Sequence, residues 1–431
     1  IGGWGEGCIG AQLPLRRSGM NVMPATVELD RTLRERAARV VPSGMWGHLH
    51  AARLPDGYPQ FFARAQGGRI WDVDGREYVD LMCSWGPIVL GHHDPAVDEA
   101  AARQTGLGDC LNGPAPVMVE LAERLVARVP HADWAMFQKN GTDATTACVM
   151  IARAGTGRRT ILIARGSYHG AAPWCTPLPA GTTEADRAHQ FRFTYNDIAS
   201  LHEAAERAGD DLAGVIVTGF RHDNVVDQEL PDPAFAQAVR AVCDATGAAL
   251  IIDDVRAGFR LHRGGSWETV GVRADLSAWS KAIANGHPLA AVTGSDRWRE
   301  AAARIFITGS FWCAAVPMAA AVATLERMDA RDLIPHIERL GLRLRDGLAA
   351  LAAAHGVGLR QSGPVQMPLF LFDGDSDFAI GSTFCRAALR AGAFLHPRHN
   401  MFLCAAHTEA DIDQVLEAAE AGFRAVRGLA G

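Results

Sequence analysis

The sequence AALIIDDVRAGFR at residues 248–260, followed by ADLSAWSKAIANGHPLAAVTG at residues 274–294, decides the fold. Residues 248–252 are a short apolar run without polar alternation, which is typical of a strand buried on both faces of a parallel sheet. The run ends in Asp253 and Asp254, where the chain leaves the sheet at its carboxyl edge. Because open α/β sheets bind ligands at that edge, a site is expected beside these acids.

A lysine in a later loop completes the pattern. Ser280 and Lys281 end the next apolar run, and the sequence NGHP at residues 285–288 indicates a loop. An acid at a strand end and a lysine in such a loop suit pyridoxal 5'-phosphate (PLP). The aldehyde of this cofactor forms a Schiff base with a lysine, and its ring nitrogen needs a carboxylate that keeps it protonated.

Two motifs carry a resemblance to a known family. DDVRAGFR at residues 253–260 resembles the Asp-Glu-Val-x-x-Gly-Phe-Arg signature of class III, fold-type I, PLP-dependent aminotransferases. SK at residues 280–281 with NGHPL at residues 285–289 resembles their Gly-Lys-x-x-Gly-Gly-Gly-x-Pro lysine loop. The resemblance runs from about Gly44 onward and is closest to the branch of glutamate-1-semialdehyde 2,1-aminomutases and β-amino-acid aminotransferases. For either residue alone, the alternative is an unrelated α/β enzyme with a structural aspartate and a surface lysine.

Composition excludes several classes of protein. The chain has 431 residues, 48% of them hydrophobic, and a formal net charge of −6. No apolar run approaches a membrane span, and no basic stripe indicates a nucleic-acid partner. The nine cysteines are scattered singly without the spacing of a metal site, which suits buried thiols in a reducing cytoplasm. We therefore expect a cytoplasmic protein without a membrane span or a metal.

Short apolar segments alternate with helical ones through the middle of the chain, which predicts a mostly parallel sheet covered on both faces. The resemblance implies seven strands in this large domain, with a small α+β domain built from both chain ends. The predicted strands are 135–138, 160–164, 214–218, 248–252, 276–279 and 290–294, and the predicted helices are 117–129, 143–153, 197–208 and 233–246.

The two ends of the chain have other patterns. The start is Gly-rich and is expected to be a leader, an upstream extension or a cloning remnant without stable structure. The sequence then predicts a helix at 29–41 and, from the Asp-Gly at 74–75, a hairpin. Near the end it predicts a helix at 340–354, strands at 365–372 and 401–404, and a helix at 409–426. The expected units are a leader (1–23), the first part of the small domain (24–80), the large PLP domain (81–326) and the rest of the small domain (327–431).

The cofactor phosphate is assigned to a loop between a predicted strand and helix. KNGTDA at residues 139–144 resembles the family's Ser-Gly-Thr-Glu-Ala, and the resemblance implies that Asn140, Gly141 and Thr142 hold the phosphate. Amide groups at a helix start favour an anion, and glycine permits the sharp turn. An ordinary turn and helix cap is the alternative.

The resemblance also assigns the contacts of the cofactor ring. Tyr168, in YHG at residues 168–170, would stack on one face of the ring and Val255 on the other. Neighbouring side chains of a strand point to opposite faces, so only one of the two acids meets the ring nitrogen, and the resemblance selects Asp253. Lys281 would form the Schiff base and move a proton. Lys139 is the other lysine that could form the Schiff base, but it is not followed by the Gly-rich loop of the family.

A further loop implies an assembly of two chains. TGSF at residues 308–311 resembles the family's Gly-Thr, which reaches the phosphate of the neighbouring subunit. Ser310 retains a hydroxyl at that position. We therefore expect a homodimer whose active sites are shared across the interface.

Substrate contacts depart from the family. His50 stands where the branch often has a carboxylate-binding Arg, and TGF at residues 218–220 replaces Glu-Pro-Val. Arg398 resembles an Arg that contacts a carboxylate in β-amino-acid aminotransferases, with a surface arginine as the alternative. The expected activity is ping-pong transamination between an amino donor and a carbonyl acceptor. The altered carboxylate clamp would suit a role in specialised metabolism. The alternatives are an aminomutase, an epimerase or a protein with a degenerate site.

Overall fold

The computed structural model describes residues 28–222 and 225–429, so the expected leader at 1–23 lies outside the described residues. The strands are β1 (Phe62–Gln66), β2 (Arg69–Asp72), β3 (Glu77–Asp80), β4 (Trp134–Gln138), β5 (Thr160–Ala164), β6 (Gln190–Phe193), β7 (Leu212–Thr218), β8 (Ala249–Asp253), β9 (Leu276–Trp279), β10 (Ala290–Gly294), β11 (Leu359–Ser362), β12 (Leu369–Phe372) and β13 (Ala393–Phe394). The helices are α1 (Leu29–Val40), α2 (Pro95–Leu107), α3 (Val117–Arg128), α4 (Gly141–Thr156), α5 (Ile198–Ala208), α6 (Pro233–Thr246), α7 (Arg299–Arg304), α8 (Ala315–Ala330), α9 (Leu333–His355), α10 (Ala379–Arg390) and α11 (Glu409–Val426).

The large sheet has seven strands in the order β4-β10-β9-β8-β7-β5-β6. Strand β10 runs opposite to the other six and pairs antiparallel with β4 and β9, whereas β5 to β9 pair in parallel. Every residue of β5, β7 and β8 is buried, because helices cover both faces of the sheet. The prediction of a mostly parallel, seven-stranded sheet is confirmed.

Helix α4 follows β4 directly and shapes the edge of the sheet. The carboxylate of Asp143 accepts a hydrogen bond from the amide of Asn140 at 2.9 Å, which fixes the first turn. The helix ends at Thr156, and the next residue, Gly157, has a φ of +70°, a left-handed conformation that glycine adopts without strain. Its buried face, which includes Ala144, Ala147 and Cys148, packs on the sheet. The first turn is thereby held at the carboxyl end of β4.

The small sheet joins the two ends of the chain. It has the order β1-β2-β3-β13, and β13 from the C-terminal part pairs in parallel with β3. The predicted turn at the Asp-Gly of residues 74–75 lies between β2 and β3, where Gly75 has a φ of +86°. Asp72 secures this turn by accepting bonds from the amides of Asp74 and Arg76 at 3.0 and 2.8 Å.

Of two strand predictions near the C-terminus, one was too long and the other was wrong. The strand predicted at 365–372 is limited to β12, since the ring of Pro368 removes an amide donor just before it. Residues 401–404 belong to no strand, although they are extended. Their amides bond alternately to two separate segments, with Met401 donating to the carbonyl of Pro368 at 2.8 Å and Phe402 to that of Leu81 at 2.7 Å. This segment therefore links the chain at Pro368 to the chain at Leu81 instead of pairing with one strand.

No helix in residues 28–222 and 225–429 is long and apolar enough to cross a membrane. Within the same residues, three side chains that could ligate a metal meet, those of Cys83, Cys404 and His407. Both ring nitrogens of His407 are already engaged, one with the amide of Cys404 and the other with the carbonyl of Asp80, each at 3.1 Å. The imidazole thus links the backbone at Cys404 to the backbone at Asp80.

Candidate active site

A pocket of about 330 Å³ lies at the carboxyl edge of the large sheet. The loops that leave β4, β5, β7, β8 and β9 all contribute side chains to it, because parallel strands end at the same edge. Its wall consists of His48, Pro87, Lys139, Asn140, Gly141, Thr142, Tyr168, His169, Gly170, His222, Asp253, Val255, Arg256, Ser280, Lys281, Gly286, His287, Pro288 and Leu289. Seven of the ten residues predicted from the sequence meet here, and His50, Ser310 and Arg398 do not.

Lys281 lies in the pocket wall, directly after β9. Its φ of +50° is unusual for a side-chain-bearing residue and places it in a tight turn. Burial and, to a smaller extent, the charge of Arg256 lower the pKa of Lys281 to about 7, although Asp253 acts in the opposite direction. A substantial fraction of the ε-amine is therefore neutral near pH 7 and able to act as a nucleophile.

Asn285 holds the lysine loop in place. Its side-chain oxygen accepts hydrogen bonds from the amides of Val89 and Leu90 at 3.0 and 2.9 Å, and its amide nitrogen donates to the carbonyl of Gly91 at 2.9 Å. Asn285 itself has a φ of +43°, a left-handed conformation that asparagine tolerates. The loop that resembles a Gly-rich sequence is thus anchored by a side chain.

Asp253 and His169 form a buried pair in the pocket. The Nδ1 atom of His169 lies 2.7 Å from Oδ2 of Asp253, and the other carboxylate oxygen accepts a bond from the amide of Val255 at 3.1 Å. Asp254 points away from the pocket wall, and its carboxylate accepts a bond from the amide of Ser266 at 3.0 Å. Burial raises the pKa of Asp254 to about 6. Of the two adjacent acids, only Asp253 is available to a ligand.

The loop predicted to bind phosphate leaves no room for larger side chains. A Cβ atom on Gly141 would lie 2.6 Å from Cγ1 of Val255, and one on Gly170 would lie 2.4 Å from Oγ1 of Thr142. The same hydroxyl accepts a hydrogen bond from the amide of Ala171 at 3.1 Å. The amide of Asp143 donates to the carbonyl of Asn140 at 3.0 Å, which leaves the amides of Gly141 and Thr142 at the start of α4 for an anion.

Histidines and Tyr168 form much of the remaining wall. Tyr168 is 43% exposed at the pocket. Burial and the charge of Lys281 lower the pKa of His48, and burial, Arg256 and Lys281 lower that of His222. Both imidazoles are therefore neutral at pH 7. The ring of His48 also packs edge-on against Trp85, with 5.0 Å between ring centroids.

The three other predicted site residues lie elsewhere. Nδ1 of His50 accepts a bond from the amide of Ala52 at 3.1 Å, and His48, two residues earlier, is the histidine in the pocket wall. Arg398 donates to the carbonyl of Arg53 at 3.4 Å and is absent from the wall. Ser310 lies on an exposed loop between α7 and α8.

Sequence reasoning missed several pocket residues. His169 follows Tyr168 in the motif that the sequence singled out, but only the fold shows its carboxylate partner. His48 and His222 carry no motif. Arg256 lies inside the recognised signature, and its guanidinium donates to the side-chain oxygen of Asn400 at 2.5 Å. Position within a recognised motif was the available signal for His169 and Arg256, and the sequence held none for His48 and His222.

Comparison with known proteins identifies the family. The model of the family "Aminotransferase class-III" matches residues 52–418. The aminopentol aminotransferase of Sphingopyxis macrogoltabida is 50% identical over 396 residues, which cover 92% of this chain and 94% of that protein.

The chain belongs to the class III aminotransferases.

More distant relatives and solved structures agree. The glutamate-1-semialdehyde 2,1-aminomutase of Syntrophobacter fumaroxidans is 31% identical over 431 residues, with 94% of this chain and 99% of that protein covered. The PLP internal aldimine form of the FumI protein of Sphingopyxis sp. MTA144 superposes with a TM-score of 0.91 at 50% identity, covering 92% of this chain and 96% of that one. This class III aminotransferase therefore uses PLP to move an amino group between an amino donor and a carbonyl acceptor, as the sequence predicted.

The pocket fits this cofactor. Gly141 and Gly170 let Val255 and Thr142 pack closely around the loop, and the Nζ atom of Lys139 is buried without a hydrogen-bond partner among the described residues. The buried Asp253 and the Lys281 amine supply the two polar groups that a PLP ring and aldehyde require. The donor set and the available space thus agree with the family.

Proposed function

We propose that this aminotransferase takes its amino group from an amine that carries hydroxyl groups and no carboxylate beside the reacting carbon. The observation that carries the proposal is the pair of neutral imidazoles, His48 and His222, in the pocket wall. A neutral imidazole donates one hydrogen bond and accepts another, which matches a hydroxyl group. The relative with 50% identity is named for an aminopentol, which also supports a hydroxylated donor.

We assign the following roles to the residues of the pocket. Bound PLP supplies an aldehyde for covalent attachment and a ring that withdraws electrons from the bond to be broken. Lys281 holds the cofactor through Nζ and moves the proton at the substrate carbon, for which a pKa of about 7 is well suited. Asp253 keeps the ring nitrogen protonated, and His169 holds that carboxylate in position. Asn140, Gly141 and Thr142 bind the phosphate, while Tyr168 and Val255 confine the ring.

A matched pair of donors tests the proposal. 2-Amino-1-propanol and alanine share a carbon skeleton and differ in a hydroxymethyl group against a carboxylate. We expect the amino alcohol to convert the bound cofactor to pyridoxamine phosphate faster in a single turnover, followed by absorbance. Faster conversion by alanine would overturn the proposed donor class.

The role of His48 is tested separately. His48→Leu removes the imidazole and keeps an apolar side chain of similar size beside Trp85. We expect KM for 2-amino-1-propanol to rise about 5- to 10-fold, the loss of one neutral hydrogen bond, while KM for propylamine changes little. Equal changes for both amines would show that His48 acts only by packing.

The aminomutase alternative predicts a different outcome of the donor experiment. An aminomutase would form an isomer of its substrate without net exchange of the amino group. Accumulation of pyridoxamine phosphate with a donor alone, followed by its loss when a carbonyl acceptor is added, supports transamination. Isomer formation without an acceptor would support the mutase.

We also propose that the enzyme is a homodimer in which Ser310 reaches the phosphate site of the partner subunit. The loop that carries Ser310 exposes two large rings, with Phe306 89% and Phe311 65% accessible. Exposed aromatic rings close together favour burial against another surface. Phe306→Ser combined with Phe311→Ser should yield monomers in sedimentation and weaken PLP retention. Retained dimers with full PLP occupancy would contradict this assignment.

The cytoplasm is the proposed location. All eight cysteines of the described residues are free, as expected for a reducing compartment. Fractionation of cells that produce the native protein would test this location, and recovery in an oxidising compartment would contradict it.

A further inference from the structure

The lysine content of the chain singles out a second residue of the pocket. Lysine and arginine together number 42, yet only positions 139 and 281 are lysine. Both line the same pocket. Since arginine serves at every other basic position, the lysine at 139 indicates a need for a compact ammonium group. Lys281 has an assigned role, and Lys139 has none.

Lys139 lies where β4 ends and α4 begins, next to Asn140, Gly141 and Thr142. Its Nζ atom is buried and makes no hydrogen bond with any described residue. Burial lowers the pKa of Lys139, and the nearby charge of Asp109 opposes that effect. A buried ammonium without a partner is unfavourable, so an anion at this place would be stabilised.

Asp109 does not satisfy this ammonium group. Its Oδ1 atom accepts a hydrogen bond from the amide of Val316 at 2.8 Å, and its backbone carbonyl accepts one from Ala315 at 3.0 Å. These bonds hold Asp109 at the start of α8. Nζ of Lys139 is therefore left without a hydrogen-bonded anion among the described residues, and a ligand can supply one.

The other groups of the loop are polar but uncharged. Asn140 and Thr142 offer an amide and a hydroxyl, and the start of α4 offers amide dipoles. A phosphate monoester carries nearly two negative charges at pH 7. We propose that Lys139 binds the phosphate of PLP and supplies the full positive charge that the rest of the loop lacks. The proposal rests on the assignment of this loop to the phosphate given above.

Pyridoxal provides the matched ligand for a test, because it differs from PLP only in lacking the phosphate. Each ligand is titrated into apoprotein of the wild type and of Lys139→Met, and the visible absorbance of the cofactor attached to Lys281 gives the dissociation constant. We expect Lys139→Met to weaken PLP binding about 10- to 100-fold, the range of a charge-assisted hydrogen bond. Pyridoxal affinity should change less than about 2-fold, which is a smaller loss than that of one hydrogen bond. Lys139→Arg, which keeps the charge, should recover part of the PLP affinity.

Several outcomes would overturn the proposal. Equal losses for PLP and pyridoxal would assign Lys139 a structural role, and unchanged PLP affinity would place its charge away from the phosphate. Phosphorus NMR of bound PLP gives a second readout that does not depend on the methionine variant. In the wild type the phosphate should stay dianionic as the pH falls to 6, and in Lys139→Gln it should take up a proton earlier. Identical titrations in both proteins would contradict the contact.

The experiment separates this inference from the proposed function. Both readouts measure binding, so they remain interpretable if the amino alcohol proves to be a poor donor. Failure of the wild type to bind PLP would instead refute the cofactor site itself. Circular dichroism and thermal melting of each apoprotein control for misfolding.

Discussion

Replacement of Gly141 by alanine should disturb the cofactor through Val255. The new Cβ atom would lie 2.6 Å from Cγ1 and 3.0 Å from Cγ2 of Val255. Non-bonded carbon atoms prefer separations of about 3.5–4.0 Å, so the closer contact is about 1 Å too short. Gly141 is the first residue of α4 and its φ is not positive, so the backbone at this position accepts alanine. Val255 must move, and the pocket is the open space beside it.

The expected size of the effect follows from overpacking. Forcing an extra methyl group against a packed side chain costs about 1–3 kcal/mol. If the displaced Val255 occupies the space of the cofactor ring, PLP affinity should fall about 5- to 150-fold. Titration of apoprotein with PLP, followed by visible absorbance, measures the loss.

A double-mutant cycle isolates the contact with Val255. Val255→Ala removes both methyl groups that the new Cβ would meet, so Gly141→Ala should cost little PLP affinity in that background. Gly106→Ala is the matched control, because Gly106 lies in α2 with no atom within 4 Å of an added Cβ. That variant should bind PLP normally. An equal loss from Gly141→Ala in both backgrounds would refute the reasoning and show that the glycine is needed for another reason.

Four further outcomes are expected. Lys281→Ala should abolish turnover and the visible band of bound PLP without loss of the fold, and a retained band would point to Lys139. The rate of PLP capture by the apoprotein should rise with pH through about 7 and then level off, because the lowered pKa of Lys281 leaves the amine neutral above that value. A rise that continues toward the ordinary lysine pKa of 10.5 would contradict this. Asp253→Asn should bind PLP but lose most turnover, since an amide cannot keep the ring nitrogen protonated, and near-normal rates would exclude that role. Arg398→Ala should change KM for glutamate and for a carboxylate-free amine by the same factor, because its guanidinium lies outside the pocket wall. A selective loss for glutamate of about 30-fold or more would restore Arg398 as a carboxylate clamp.

Local sequence was sufficient to predict the fold and to place an acid and a lysine in one pocket. Strands such as β5 and β8 are continuous apolar runs, and the adjacent acids and the lysine loop have fixed places relative to those runs. The end of a parallel strand has only one location in such a sheet, so the edge at which the two acids lie was predictable from order along the chain, and the family resemblance then selected Asp253. The strand prediction at 401–404 failed because an extended apolar segment looks the same whether or not it has a continuous partner strand.

The neighbours of the predicted residues in the pocket were decided by tertiary structure. His169 and Asp253 are 84 residues apart, and their contact depends on how β5 and β8 lie in one sheet. His48 rather than His50 lines the pocket because a short helical turn, Gly47–Leu49, sends the two side chains in different directions. Linear spacing does not specify the orientation of such a turn, nor which buried group stands beside a charge. The sequence by itself therefore determined the sheet and the cofactor and placed a lysine in the pocket, whereas packing between distant segments decided which neutral and charged groups line that pocket.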